Sequence, residues 1–526
     1  MSALRTIFAR LLPTKNYDYE LVGSDSHQHR NSQPRYLSSA HILRRVFTLR
    51  NVLIAIPTAL ALLVTAILLN GGIPPLYADI RGYEKALPQH NVTFSQHSGV
   101  RYLAFPHHIW GHGWNNVLQE YLMLSYLAYI TNRSFVFDDY TWSHSPFPYT
   151  LYDFALRPSR LPLNAFIAGP IAGGPIPTSP GAPPRAVNSE FWQVMCSREK
   201  RRVIKQSDAP SGLMGRNLVD WWKDTIQKHE DVVCLEVDTR QNPIFDFNFF
   251  GGQQLLDIWP SLSETAILSH FKWSPLVLSA VERNFVILPD LRDAHVSVLR
   301  RRLSSTRINH SAIPRASPTD SAFPSKNTYP ALLAIHIRRG DYSRHCPRLA
   351  EWGVSFHGFN SFEGLPDRWV PYDGPLSDDA HEKIDYYRKH CFPSQEEVVE
   401  RLHTIRAEHD AFISEHARSN HTQLPMGDSG SPSPSHQLQR VFVLTNAWPS
   451  WLSGLKRKLI DDGWEDVIVS GDLILDPEQK GVDVAVDMSI AEKAEVFVGN
   501  GFSSLSGNIV MLRTAQGLHV QTNRFL

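Results

Sequence analysis

Residues 331–342 read ALLAIHIRRGDY, a continuous apolar run that ends in two arginines, a glycine and an aspartate. A short continuous apolar run is typical of a strand buried on both faces in a parallel sheet. His336 and Arg338 are two residues apart, so their side chains lie on the same face of the strand end. Gly340 then permits a sharp turn. The stretch predicts a strand that carries a guanidinium to the edge of the sheet where α/β proteins bind ligands.

Outward from this stretch, short apolar runs alternate with stretches of helical periodicity, the pattern of parallel α/β folds. We predict strands at residues 101–105, 134–137, 441–445, 467–470 and 496–499, and helices at residues 117–130 and 396–419. The proline-rich residues 161–187 are expected to be a surface insertion, and residues 424–435 a flexible loop. Residues 308–330, rich in Ser, Pro, Thr and Asn, are expected to separate two α/β halves that face each other across a cleft.

An apolar segment near the start of the chain predicts one membrane span. Residues 52–69 carry no charge over eighteen residues, about 27 Å of helix. Arg44, Arg45 and Arg50 flank the segment on one side, as the positive-inside rule expects of a cytosolic flank. A buried core helix is the alternative, and a cleaved signal peptide would be shorter. The segment therefore predicts a single-pass type II membrane protein of the Golgi or endoplasmic reticulum.

The predicted organisation therefore has five parts. They are a cytosolic tail at residues 1–50, a signal anchor at 51–70, a stem at 71–97, an N-terminal α/β domain at 98–325 and a C-terminal α/β domain at 326–526.

The overall composition excludes several classes of protein. The 526 residues are 42% hydrophobic and 20% charged, which indicates a globular chain and excludes wholesale disorder. Lys plus Arg and Asp plus Glu both number 52, so the net charge is zero. A neutral chain has no long-range field to attract phosphate backbones, so no nucleic-acid partner is expected.

Cysteines and glycosylation sequons agree with a lumenal position for most of the chain. The four cysteines allow three disulfide connectivities, and sequence proximity favours Cys196 with Cys234 and Cys346 with Cys391. No CxxC spacing suggests a zinc site. The candidate glycosylation sites, all after the predicted span, are Asn91, Asn132, Asn309 and Asn420.

A second motif follows the predicted strand at residues 496–499. There the chain reads GNGFSS and a helix begins, so Ser503 and Ser504 lie at a helix N-terminus, where backbone N–H groups and hydroxyls bind anions. Asp487, expected just before the preceding helix, could accept hydrogen bonds from a base or ribose. A plain serine N-cap is the alternative, and a serine hydrolase is disfavoured because no GxSxG surrounds these serines. For the RRGD segment, the alternative is a surface ion pair of Arg338 or Arg339 with Asp341.

A third motif is the turn GHGWNN at residues 111–116, which opens the predicted helix at 117–130. By itself it is weak, because the spacing of a dinucleotide-binding GxGxxG is incomplete.

Together, HIRRGDY, the GHGWNN turn and AEVFVGNGFSS followed by SGNI resemble the GDP-fucose protein O-fucosyltransferase-like family, within the fucosyltransferases that share an HxRxGD motif. The resemblance implies a GT-B-like α/β fold of two facing Rossmann-like domains. It further implies GDP-fucose as donor, held by the C-terminal half, and inverting transfer of fucose to a hydroxyl of a protein or glycan. It implies no cofactor and no metal, and the predicted lumenal part has no Asp-x-Asp pair.

The resemblance also implies roles for individual residues. Arg338 corresponds to the group that stabilises the departing β-phosphate, and His112 occupies the slot where some relatives carry a glutamate base. The implied substrate-binding residues are Asn115, Asn116, His336, Arg339, Asp487, Ser503 and Ser504. Two alternatives stay open: a transferase for another GDP-sugar, and a non-catalytic lumenal binding protein that retains the fold.

Overall fold

In the computed structural model, the chain forms two compact units, residues 1–65 and residues 66–526. The structure describes residues 49–69, 72–106, 112–152, 155–177, 182–240, 242–284, 328–374, 381–421 and 437–526. The described residues of the first unit are helical and belong to helix α1, Leu49–Leu69. The predicted cytosolic tail at 1–50 and the loop at 424–435 lie almost wholly outside the described residues, and Asn309 lies outside them too.

Two five-stranded parallel sheets form the second unit. The first contains β1 (Tyr102–Ala104), β2 (Ser134–Phe137), β7 (Val187–Asn188), β8 (Arg202–Lys205) and β9 (Cys234–Asp238), in the order β7-β2-β1-β9-β8. The second contains β10 (Tyr329–Ile337), β11 (Arg440–Thr445), β12 (Asp466–Val469), β13 (Ala494–Gly499) and β14 (Asn523–Phe525), in the order β12-β11-β10-β13-β14. Two small antiparallel pairs accompany them: β3 (Tyr140–Thr141) with β6 (Arg160–Leu161), and β4 (Tyr149–Tyr152) with β5 (Ala155–Pro158).

Helices and short 3₁₀ turns connect the strands. The helices after α1 are α2 (Ala78–Lys85), α3 (Val92–His97), α4 (Trp114–Ile130), α5 (Ser189–Met195), α6 (Gly215–Gln227), α7 (Phe247–Gly251), α8 (Trp259–Ser263), α9 (Ala266–Ser269), α10 (Pro275–Arg283), α11 (Tyr342–Trp352), α12 (His381–Cys391), α13 (Gln395–His421), α14 (Pro449–Asp461), α15 (Asp483–Lys493) and α16 (Ser504–Ala515).

The strand β10 explains why residues 331–337 are continuously apolar. Leu332 and Ala334 pack into one buried cluster, while Leu333, Ile335 and Ile337 pack into another on the opposite face. Since both faces are covered, every position from Leu332 to Ile337 is buried. The predicted parallel α/β architecture is confirmed, with element ends shifted by a few residues at most for the strands named in advance.

Two predictions about irregular segments are wrong. Residues 161–187 are not a surface insertion, because Leu163, Phe166 and Ile171 are at most 1% exposed and belong to the main core. The predicted stem is also folded from residue 77 onward. It forms α2 and α3, and Tyr77 and Leu87 are buried in the same core. In both cases scattered large apolar residues contribute to the core even though proline and glycine interrupt helical and strand periodicity.

Residues 51–70, the predicted membrane span, belong to helix α1 up to Leu69. Over the described residues, no helix has both the length and the apolar character that crossing a bilayer requires.

The helix before the predicted domain boundary packs on the second sheet's half. At the C-terminal end of α10, the Arg283 guanidinium donates to Gln479 Oε1 at 2.7 Å. Asn284 donates to the carbonyl of Ile474 at 3.1 Å and accepts from its N–H at 2.8 Å. Helix α10 therefore precedes residue 325 in the sequence but contacts the half that follows it.

Both favoured disulfides are confirmed. Cys196 bonds to Cys234, and Cys346 bonds to Cys391. The first joins the end of α5 to the start of β9, and the second joins α11 to the end of α12.

Candidate functional site

The site lies where β10 and β13 end. These strands are parallel neighbours, so their carboxyl ends meet at one edge of the sheet. The chain leaves β10 through residues 338–341 into α11, and leaves β13 through residues 500–503 into α16. β10 also pairs with β11 on its other side. The two loops thus flank the point where the strand order reverses, the usual ligand position in open α/β sheets.

His336, near the end of β10, links this strand to the start of α16 and to the loop after β13. Its side chain is 3% exposed, and Nδ1 lies 2.9 Å from the Ser506 hydroxyl oxygen in α16. That hydroxyl oxygen also accepts from the backbone N–H of Asn500 at 2.9 Å. Burial, with a smaller contribution from the Arg338 charge, lowers the pKa of His336 to about 3. The imidazole is therefore neutral at physiological pH and serves as a hydrogen-bonding link between β10 and α16.

Arg338 lies at the surface of the same strand face. Its guanidinium donates to Asp341 Oδ2 at 2.7 Å and lies 4.8 Å from the centre of the Tyr342 ring. Its Nε is buried and has no hydrogen-bond partner among the described residues. The ion pair with Asp341 that the sequence left open is therefore formed. Asp341 is 59% exposed, so the pair is worth about 1 kcal/mol or less and leaves Arg338 able to bind a further anion.

Asn446 holds the turn after β10. Its Oδ1 accepts from the backbone N–H of Arg339 at 2.8 Å, and its Nδ2 donates to Asp341 Oδ1 at 3.2 Å. Gly340 in this turn has φ +57°, and a Cβ there would lie 3.3 Å from Asn446 Nδ2. Asn446 directly follows β11, so its position at the carboxyl end of an adjacent strand was a signal that the sequence analysis missed.

Arg339, which was predicted to bind substrate, has its guanidinium packed against aromatic rings, and its role in binding stays a prediction. Its guanidinium lies 3.8 Å from the centre of the Phe392 ring and 4.3 Å from that of Trp451. It donates to the carbonyl of Pro393 at 2.7 Å. The two aromatic rings and the Pro393 carbonyl hold the guanidinium of Arg339 in this position.

The loop after β13 is fixed by backbone contacts. The Gly501 carbonyl accepts from the His357 N–H at 2.8 Å and from Asn360 Nδ2 at 2.9 Å. A Cβ on Gly501 would lie 2.3 Å from the Phe356 ring, so this position requires glycine. Ser503 is the N-cap of α16, with its hydroxyl accepting from the Leu505 N–H at 3.3 Å. The plain N-cap reading therefore holds for Ser503.

An anion site at the start of α16 remains compatible with that cap. Ser504 is the first residue of this twelve-residue helix and is partly exposed. The N–H groups of a first helical turn have no partners within the helix and attract negative charge together with the helix dipole. The start of α16 and Arg338 follow the ends of the neighbouring strands β13 and β10.

Asp487 lies within α15 rather than before it, because the helix already begins at Asp483. Its Oδ2 accepts from the Ser470 hydroxyl at 2.6 Å, while Oδ1 is buried without a partner among the described residues. Burial raises the pKa of Asp487 well above its usual range. Ser470 follows β12, so this carboxyl lies at the same edge of the sheet as Arg338, two strands away.

The first sheet's half contributes the start of α4. Asn115 is buried, and its carbonyl and Oδ1 accept from Asn508 Nδ2 at 2.9 and 3.1 Å. Asn508 lies in α16, so the structure brings the predicted Asn115 against the predicted helix after Ser504. Asn116 is partly buried beside it. The ring of His112 lies edge-on to that of Phe247, 4.4 Å between centres, and its carbonyl accepts from the Tyr140 hydroxyl at 3.2 Å.

The described residues contain no group of three or more His, Cys, Asp or Glu side chains able to hold a metal ion. The expectation of a metal-independent reaction stays a prediction.

Comparisons with known proteins give matches only among solved structures. No family model matches the chain, and no curated protein matches it. POFUT1 in complex with GDP-fucose is 14% identical, with a TM-score of 0.43 over 81% of this chain and 97% of that one. A mutant of Arabidopsis thaliana FUT1 in complex with GDP is 11% identical, with a TM-score of 0.30 over 84% of this chain and 78% of that one. NodZ alpha-1,6-fucosyltransferase, soaked with GDP-fucose, is 9% identical, with a TM-score of 0.30 over 78% of this chain and 92% of that one. The chain is thus similar to fucosyltransferase structures that contain GDP or GDP-fucose.

Proposed function

We propose that this chain is a glycosyltransferase that moves fucose from GDP-fucose to a hydroxyl of a protein or glycan acceptor. The observation that carries the proposal is that Arg338 and the start of α16 follow the ends of the neighbouring strands β10 and β13. This arrangement offers a fixed positive charge and the N-terminus of a helix to one diphosphate. The choice of GDP-fucose over other donors rests on the motif resemblance.

The position of Asp487 fits the guanine base of the donor nucleotide. Adjacent strands lie about 4.8 Å apart, so the end of β12 is about 10 Å from that of β10. That is the span from the diphosphate to the base of a nucleotide lying across the strand ends. The buried Asp487 Oδ1 has no partner among the residues described. In the proposed complex it accepts a hydrogen bond from an N–H group of the guanine.

The reaction places charge where Arg338 lies. The acceptor oxygen attacks C1 of fucose, the bond from C1 to the β-phosphate oxygen breaks, and GDP leaves with that electron pair. Arg338 stabilises the negative charge that develops on the β-phosphate. His112 is the proposed base that takes the acceptor proton, and attack opposite the leaving GDP inverts C1.

A thermal-shift comparison tests the donor assignment. The protein is heated with GDP, GDP-fucose, UDP, CMP and the corresponding sugar nucleotides at matched concentrations. Only the guanosine ligands should raise the melting temperature, because a ligand at 100 times its Kd stabilises the folded state by about 2.7 kcal/mol. A shift with GDP-mannose as large as that with GDP-fucose would instead favour another GDP-sugar. No shift with any guanosine ligand would remove the basis of the proposal.

We further propose that residues 72–526 lie in the lumen of the Golgi or endoplasmic reticulum, in the type II orientation. Support comes from the two disulfides, which persist in oxidising compartments. Asn91 and Asn132 are both exposed sequon positions. Protease treatment of intact microsomes and glycosidase treatment of the protein test this position. A chain that the protease digests and that carries no glycan would contradict the lumenal position.

A further inference from the structure

Helices α4 and α16 pack against each other, and buried polar side chains lie beside Gly507 at this contact. Gln119 on α4 is 1% exposed, yet neither its amide oxygen nor its amide nitrogen has a hydrogen-bond partner among the described residues. Burying an amide without partners costs free energy comparable to lost hydrogen bonds, so such groups are usually satisfied by something.

A second polar side chain lies beside the same glycine. His357 Nδ1 is buried and also lacks a partner within the described part of the chain. A Cβ placed on Gly507 would lie 3.1 Å from His357 Nδ1 and 3.7 Å from Gln119 Nε2. The two side chains therefore both lie directly beside Gly507. We call Gln119, His357 and Gly507 the Gly507 notch.

The notch lies next to the proposed diphosphate site. Gly507 follows Ser504 by three residues, which is about 4.5 Å along the axis of α16. Asn115 bonds to Asn508, the next residue of the same helix, so the start of α4 lies beside it as well. A sugar attached to a phosphate at the start of α16 therefore reaches the notch within the length of one ring.

We infer that the Gly507 notch binds a hydroxyl group of the donor sugar. A hydroxyl both donates and accepts, which matches an amide that offers both a donor and an acceptor and an imidazole nitrogen that serves as either. A side chain at position 507 would contact both His357 and Gln119. This inference rests on the proposed function and assigns Gln119 and His357 to discrimination between sugars.

The test separates sugar binding from nucleotide binding. Isothermal titration measures the Kd of GDP and of GDP-fucose for wild type, Gln119→Leu and Gly507→Ala. Losing hydrogen bonds to a neutral hydroxyl should weaken GDP-fucose about five- to tenfold in both variants and leave GDP unchanged. Ser489→Ala is the matched control, since its buried hydroxyl also lacks a partner among described residues, and it should change neither Kd.

Each other outcome has a distinct meaning. If both variants bind GDP-fucose as tightly as wild type, or lose GDP and GDP-fucose affinity equally, the notch is only part of the contact between the halves and the inference is wrong. If Gln119→Leu does not fold, Gly507→Ala decides. Wild-type protein that binds neither ligand would instead contradict the proposed function itself.

Discussion

Arg338 and Arg339 are sequence neighbours with opposite surroundings, so their alanine variants should fail in opposite ways. Arg338→Ala removes a partly exposed guanidinium whose ion-pair partner is itself exposed. It should lower kcat on the order of 10²–10³-fold, because the β-phosphate loses its stabilising charge, and leave the melting temperature close to wild type. Arg339→Ala removes a guanidinium stacked between Phe392 and Trp451 and should cost about 1–3 kcal/mol of stability.

Steady-state kinetics and thermal denaturation of both variants check this contrast. Full transfer activity in Arg338→Ala would exclude its proposed role at the leaving group. An Arg339→Ala variant as stable as wild type would show that the contacts of Arg339 with Phe392 and Trp451 do not stabilise the fold.

The buried neutral state of His336 should make stability depend on pH. Because its pKa of about 3 in the folded protein lies below the ordinary 6.5, the unfolded chain binds a proton in that range that the folded protein does not. Stability is therefore full above pH 6.5 and falls as pH decreases toward 3. This group should account for about 2 kcal/mol between pH 7.5 and 5.

Urea unfolding of wild type and His336→Gln at these two pH values measures the effect. The variant should lose less stability on acidification, while retaining the part due to His357, whose pKa burial lowers to about 4. Equal losses in the two proteins would show that His336 carries a proton in the folded state.

Among the elements, the two disulfides have similar loops but different positions relative to the site. Cys346–Cys391 closes a separation of 45 residues and Cys196–Cys234 one of 38, so removing either should cost about 2–4 kcal/mol. Cys391 contacts a site loop: its carbonyl accepts from Asn500 Nδ2 at 3.0 Å. Replacing Cys346 and Cys391 by serine should therefore weaken GDP binding as well, whereas the Cys196 and Cys234 pair should affect stability alone.

Titration of GDP into the two double variants, at a temperature where both are folded, gives the comparison. Equal GDP affinity in both would mean that the site loops are held without the second disulfide.

For the whole molecule, the sequence predicted the strands and the loops that follow them better than it predicted contacts between distant segments. The strand at 331–337 and the helix after GNGFSS follow from local periodicity and small residues, which act over a few positions. His357 and Gln119 converge on Gly507 only through packing of segments more than a hundred residues apart in sequence, and no local pattern records that. The contacts of Arg339 with Phe392, Pro393 and Trp451 could not be predicted from the sequence either, because these residues are distant from Arg339 in the chain.

The same nonlocal contacts predict that the C-terminal half does not fold alone. Glu492 in α15 is 2% exposed and accepts from the indole N–H of Trp273 at 2.5 Å, while α10 supplies the contacts of Arg283 and Asn284 described above. A fragment of residues 328–526 keeps Arg338, Asp487 and Ser504 but would expose this carboxylate and the apolar face that α10 covers. It should show no cooperative thermal transition and no stabilisation by GDP, whereas residues 66–526 should unfold in one GDP-sensitive transition. Calorimetry of both proteins decides this, and a fragment with a sharp transition that GDP raises would establish the C-terminal half as an independent domain.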